Sequence, residues 1–239
     1  MLKRRKVRAL DTAPKTFALM RLEFVVRAVQ LSDRLAEMIR NAGEISEFQS
    51  WLKASFSGIH YLRRREKLWE KALNSLPDTP LIFIEFGVAK GYIGHYFFTN
   101  LLSERPFHWF GFDTFTGLPR AWRGMPPGTF SSHGMVPDLP DGQFRWFKGL
   151  VQETMTEDLI SEMFSIDGSR ILFFDFDLRE PTEFVLESVI DLLSVGDLLY
   201  FDEAYDGDER AVINQLLSGH RSFEAIGSTA TALLLRVSA

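Results

Sequence analysis

The stretch Leu81-Ile-Phe-Ile-Glu-Phe-Gly-Val-Ala-Lys-Gly-Tyr-Ile-Gly94 decides the fold. Its first six residues are apolar except for Glu85, as in a central strand buried on both faces. Residues 92–102 are apolar enough and long enough for a helix. A strand, a glycine turn and a helix N-terminus form a cradle for an anionic or polar nucleotide cofactor. The spacing is E-x-G-x-x-x-G, whereas a dinucleotide site has G-x-G-x-x-G. Taken alone, the turn is equally consistent with a βα connection that binds nothing.

Working outward, residues 107–112 read as a second strand ending at Asp113, 26 positions beyond Gly87. A carboxylate at that strand tip can accept hydrogen bonds from ribose hydroxyls. Residues 117–140 are rich in Gly and Pro, lack periodicity and carry Trp122, Phe130 and His133. A loop of this length with this apolar content reads as a closing flap. Residues 144–148 form the third strand, followed by Gly149 and a short helix to about Met163. The fourth strand is 171–177, the crossover helix 181–193 and the fifth strand 198–203. A helix over 208–217 and a closing hairpin of 222–226 and 231–237 complete the chain.

Upstream, apolar residues recur at a helical period over residues 14 to about 41, with Gly43 as the expected C-cap. A second helical region covers 46–76, with Gly58 as an expected interruption. Pro77-Asp-Thr-Pro80 marks a boundary. Residues 1–76 therefore read as a helical cap or subunit interface, and 77–239 as an α/β domain. The first segment carries 16 Lys/Arg against 8 Asp/Glu, the second 11 against 24. The basic segment reads as a solvated helical surface rather than a nucleic-acid site. The cluster Arg63-Arg-Arg65 with Lys67 could attract a phosphate or carboxylate, although an exposed helix face is the favoured reading. The chain has no cysteine, which excludes disulfides and cysteine-ligated zinc and suits a reducing cytoplasm. No apolar run reaches membrane-span length. Lys15, Arg21, Glu23 and Arg27 break up the segment after the basic start, so no signal peptide is expected.

Two strand ends carry carboxylate pairs, Asp175 with Asp177 and Asp202 with Glu203. On an extended backbone Asp175 and Asp177 face the same side. Parallel strands joined by a crossover helix place both pairs at the ligand-binding end of the sheet. Like charges gathered there are unfavourable without a cation. Oxygen ligands without cysteine suit Mg²⁺. The competing expectation is solvated carboxylates or pairing with Arg179 and Arg210.

Five blocks in order, at 83–91, 112–119, 147–154, 174–182 and 195–203, resemble the macrocin O-methyltransferase family. The similarity covers residues 80–237 or so. It implies a Rossmann-like methyltransferase fold with a mostly parallel sheet and an antiparallel C-terminal hairpin, preceded here by the helical extension. It also implies S-adenosylmethionine and Mg²⁺ as cofactors and a sugar hydroxyl of a small molecule as acceptor. By position, Glu85, Gly87 and Gly91 would shape the cofactor pocket, and Asp113, with Thr114 beside it, would hold the ribose. Asp175, Asp202 and Glu203 would ligate the metal and Asp177 would accept the proton, with His133 on the flap as the rival base. Two positions depart from the family pattern: Glu203 stands where Asp is usual, and Arg179 where Tyr is usual. A catechol-type O-methyltransferase and a non-catalytic binding protein of the same fold are the alternatives. The expected partner is a hydroxylated small molecule, without nucleic acid or membrane, and the N-terminal helices could pair two copies of the chain.

Overall fold

A computed structural model describes residues 25–26, 33–102, 104–140 and 142–239. The chain divides into two compact units between Gly43 and Glu44. The second unit, Glu44–Ala239, carries the sheet. Most of the expected helix over 14–41 lies outside the described residues. Among the described residues no helix is long and apolar enough to cross a membrane.

Helix α1 spans Asp33–Ser55 and α2 Arg65–Asn74. The sequence places a cap at Gly43, but α1 runs through it. A single Gly inside a helix costs only about 1 kcal/mol, and the chain beyond supplies Phe48 and Leu52 to the core. The break comes instead at residues 56–64, where Gly58 has φ +70°. The strands are β1 Leu81–Phe86, β2 Phe107–Asp113, β3 Phe144–Lys148, β4 Ser169–Phe174, β5 Leu198–Phe201, β6 Phe223–Ser228 and β7 Leu233–Val237. They form one sheet in the order β3-β2-β1-β4-β5-β7-β6. The first five strands in that order are parallel, and β7 is antiparallel to both β5 and β6. Strand order reverses between β1 and β4, which puts the topological switch point beside Phe86 and Phe174.

Every residue of β1, β4 and β5 is buried. One face of the sheet holds Phe86, Phe112, Phe174 and Phe201, and the other Phe83, Trp109, Phe173 and Tyr200. Stacked rings tie neighbouring strands: Phe83 to Trp109 at 3.8 Å, Phe173 to Tyr200 at 4.1 Å. The connecting helices are α3 Tyr92–Asn100, α4 Val151–Thr154, α5 Glu157–Ser165, α6 Arg179–Val189 and α7 Gly207–Leu217. The expected single helix after Gly149 is two, because Thr156 caps α5 by accepting from Leu159 N–H. Helix α6 starts two residues before Pro181, whose missing N–H is harmless in a first turn.

The compact unit begins at Glu44 rather than at Pro77, because Phe48, Leu52, Leu68 and Trp69 are fully buried in the sheet's two cores. The chain just before α2 also covers the outer edge of β6. Leu62 N–H donates to Ser228 O at 2.8 Å, and Ser228 N–H donates to His60 O at 2.9 Å.

Candidate active site

The parallel strands end together at the switch point. Asp175 lies one residue past β4, held to the sheet by its N–H to Phe86 O at 2.8 Å. Asp202 lies one residue past β5, with its N–H on Phe174 O at 3.0 Å. The strand therefore stops short of Asp177, which takes the left-handed φ of +61°. The same-face argument from an extended backbone fails here, yet the turn still brings Asp177 to Asp175. Carboxylate oxygens of Asp175, Asp177 and Glu203 all lie within 4.8 Å of one another.

Burial is the largest cause that raises the pKa of all three, and the charge of Asp202 comes next for each. Asp177 is pushed up to about 7, and Asp175 and Glu203 rise well above the carboxylate range. Oε2 of Glu203 is buried without a hydrogen-bond partner, as is Oε2 of Glu209 on α7. Asp202 lines the same cavity and is bonded there, accepting from Tyr200 O–H at 2.5 Å and from Arg65 Nη1 at 3.2 Å. Asp175, Asp177 and Glu203 are the trio whose oxygens lie close enough to share an ion, and Asp202, the ligand that the resemblance implies, stands beside them in the same cavity. Arg179 pairs with Glu183, and Arg210 bonds Tyr205 O and Glu47, so neither neutralises the cluster.

The glycine turn lies beside it. Gly87 has φ +94°, and a Cβ there would fall 1.9 Å from Asp175 O. Glycine is required at this position by the approach of the β4 end. Asp113 accepts from Ala89 N–H at 2.7 Å and from Phe115 N–H at 2.5 Å, which fixes its carboxylate at the tip of β2. Each oxygen keeps acceptor capacity for a ligand. Thr114 bonds within its own turn, donating to Gly117 O at 3.1 Å and accepting from Thr116 N–H at 3.2 Å. Gly87, Ala89, Asp113 and Thr114 share a cavity of about 680 Å³ with the three clustered carboxylates.

Two expected pocket residues stand apart from that cavity. Glu85 is wholly buried, with Oε2 accepting from Trp109 Nε1 at 2.8 Å and Oε1 unpartnered. Burial pushes its pKa to about 8. Gly91 caps α3 with φ +76° and sits under Pro137, whose Cγ would lie 2.5 Å from an added Cβ.

The 117–140 loop is closely tied down. Leu118 and Thr129 are joined through Leu118 N–H to Thr129 O at 2.9 Å, and Gly134 N–H reaches Phe115 O at 2.7 Å. Arg123 bonds Asp206 at 2.5 Å and also Glu44, linking the loop to α1 and to the cap of α7. Trp122 and Phe130 face the first cavity, whereas His133 lines a second one alongside Arg65 and Lys90. Arg65 is the site residue that the sequence reading passed over. Its signal was the Arg63–Arg65 cluster, but nothing local distinguishes its partner Asp202 from solvent.

No family model matches the chain, and no curated protein matches it. Solved structures do. The O-methyltransferase NovP is 18% identical over 73% of this chain and 80% of its own, with a TM-score of 0.53. The apo structure of CalS11, a TDP-rhamnose 3'-O-methyltransferase of calicheamicin biosynthesis, is 23% identical over 73% and 81%, with a TM-score of 0.47. An O-methyltransferase from Bacillus cereus in complex with SAH is 11% identical over 82% and 91%, with a TM-score of 0.44. The sheet order, its antiparallel C-terminal strands and the likeness to NovP together give this chain the Rossmann-like fold of methyltransferases.

Proposed function

We propose that this chain is an S-adenosylmethionine-dependent O-methyltransferase that uses a divalent cation and acts on a hydroxyl of a sugar or glycosylated small molecule. The observation that carries this reading is the carboxylate cluster at the switch point, sharing one cavity with the Gly87 turn and Asp113. The residues fit a hard cation: their donors are all oxygens, and Glu203 Oε2 is buried without a partner. They also fit the nucleoside, since Asp113 is fixed by two backbone N–H groups at the tip of β2.

Asp175, Asp177 and Glu203 would hold the cation, whose charge favours the deprotonated form of the acceptor hydroxyl. The sulfonium of the cofactor supplies the methyl electrophile. Asp113 would anchor the ribose hydroxyls and so set where the methyl group lies. A carboxylate has two oxygens, and Asp177 would use its second to take the proton from the acceptor oxygen within about 3 Å. His133 is the weaker base candidate, because it lines the second cavity, which contains Asp175 but neither Asp177 nor Glu203. Trp122 and Phe130 would keep water from the reacting atoms.

The test is release of S-adenosylhomocysteine from a panel of sugars and phenols, in Mg²⁺ and in excess chelator. Turnover with a sugar that disappears on chelation supports the reading. Turnover confined to phenols moves the acceptor to the catechol class, and full activity in chelator removes the metal.

A further inference from the structure

The 117–140 loop makes a tight turn at Trp122 and Met125, which exchange backbone hydrogen bonds of 3.0 and 2.7 Å. The two residues between them, Arg123 and Gly124, both have positive φ, +46° and +80°. A two-residue turn of this kind favours Asn, Asp or Gly at its first position. A long side chain takes this backbone only where its surroundings hold it there, and such strain gathers at functional sites. Four neighbours hold Arg123. Its Nη1 donates to Asp206 Oδ2 at 2.5 Å and its Nη2 to Glu44 Oε2. Its guanidinium lies 5.6 Å from the ring of Trp122 and 4.8 Å from that of Tyr205. The side chain is only 12% exposed. Two parts of the site meet through it. On one side stands Trp122, which lines the 680 Å³ cavity. On the other stands the turn after β5, where Asp206 donates its N–H to Glu203 O at 2.7 Å and accepts from Asp208 N–H at 2.8 Å to cap α7.

We propose that Arg123 is a positioning residue of the catalytic cavity: it holds Trp122 in the cavity wall and braces the turn that follows Glu203. The proposal rests on the reading above in taking Glu203 as a cation ligand. A guanidinium suits this task, because its planar fork bonds two carboxylates at once while its face stays on an aromatic ring. Lysine keeps the charge but has no fork. Without the fork, Trp122 is free to swing out of the wall, and Glu203 loses the brace that keeps it beside Asp175 and Asp177. Groups that orient metal ligands from outside change metal affinity by roughly 10- to 100-fold. Asp113 and the Gly87 turn, by contrast, are fixed by their own backbone hydrogen bonds and do not depend on Arg123.

The experiment compares the full chain as wild type, Arg123→Gln and Arg123→Lys. Arg123→Lys leaves a cation between Glu44 and Asp206, so it keeps the test valid if Arg123→Gln does not fold; a cooperative thermal transition identifies the folded variants. Three quantities are read. They are Mn²⁺ affinity by electron paramagnetic resonance, S-adenosylhomocysteine affinity by calorimetry, and acrylamide quenching of Trp122 emission, taken as the difference from the same protein carrying Trp122→Phe. The expected result for a folded variant is Mn²⁺ binding weakened roughly 10-fold, Trp122 more open to acrylamide, and S-adenosylhomocysteine affinity unchanged. A residue that only stabilises the fold would lower the melting temperature and leave the other readings alone, so Mn²⁺ affinity or Trp122 quenching at its wild-type value overturns the proposal. An equal loss of S-adenosylhomocysteine affinity would mark a general loosening of the domain and overturn it as well. A wild type that binds no Mn²⁺ removes the cation reading instead; Trp122 quenching needs no ion and then decides the role of Arg123.

Discussion

Glu85 offers a sharp test of the electrostatics inside the sheet. Its carboxyl is buried on β1, bonded to Trp109 Nε1 at 2.8 Å through one oxygen and unpartnered at the other. Desolvation is the main cause that raises its pKa from the ordinary 4.5 to about 8, and nearby Asp113 adds to it. Between those two values the folded chain keeps a proton that the unfolded chain has lost. Stability must then fall as pH rises through that window and level off above about pH 8. At about 1.36 kcal/mol per pH unit, the full effect is about 5 kcal/mol, an upper figure because relaxation around a buried charge softens it. Glu85→Gln keeps the shape and the acceptor for Trp109 but cannot ionise. Chemical unfolding of wild type and variant at pH 5 and pH 9 checks this. The variant should match the wild type within about 1 kcal/mol at pH 5 and exceed it by several kcal/mol at pH 9. The difference between the proteins isolates Glu85 from Asp175, Asp177 and Glu203, which act in the same direction. A difference that does not change with pH would refute the reasoning.

The other expected outcomes concern packing and catalysis. A chain starting at Pro77 would lose Phe48, Leu52, Leu68 and Trp69 from the two cores. At about 1.5–3 kcal/mol each, that loss rivals a whole domain's stability, so such a chain should fail to give a cooperative thermal transition. Arg170→Ala would leave Asp197 buried without its partner at 3.2 Å and should cost about 3–5 kcal/mol in urea unfolding. Asp177→Asn should lower kcat by roughly 10²- to 10⁴-fold in the S-adenosylhomocysteine release assay, while His133→Ala keeps the pH profile of kcat unchanged.

The central sheet was legible because its strands are apolar runs of the right length, bounded by Gly, Pro and charge. All five parallel strands and the closing hairpin lie where the runs do. Strand ends were less legible: hydrophobicity carries 171–177 through to Asp177, but pairing stops at Phe174, where the backbone turns. Alternation puts Asp175 and Asp177 together, and they do meet, but through that turn rather than through an extended backbone. The compact unit reaches back past Pro77 for a related reason. A Pro-rich breaker ends a helix locally, but Phe48 and Trp69 are committed to the core by contacts far away in the sequence. Arg65 was hidden because its partner Asp202 is 137 positions away. The Asp113 tip and the Gly87 turn, by contrast, depend on short-range geometry, and the sequence displays them directly.

Manganese binding, followed by electron paramagnetic resonance, tests the carboxylate assignment most directly. Free Mn²⁺ gives a sharp spectrum that weakens as the ion is bound, so wild type, Asp177→Asn and Asp202→Asn can be titrated side by side. The expected result is binding by wild type and Asp202→Asn and its loss in Asp177→Asn, since Asp177 joins Asp175 and Glu203 while Asp202 faces Arg65 and Tyr200. Binding that survives in Asp177→Asn and vanishes in Asp202→Asn would contradict the assignment.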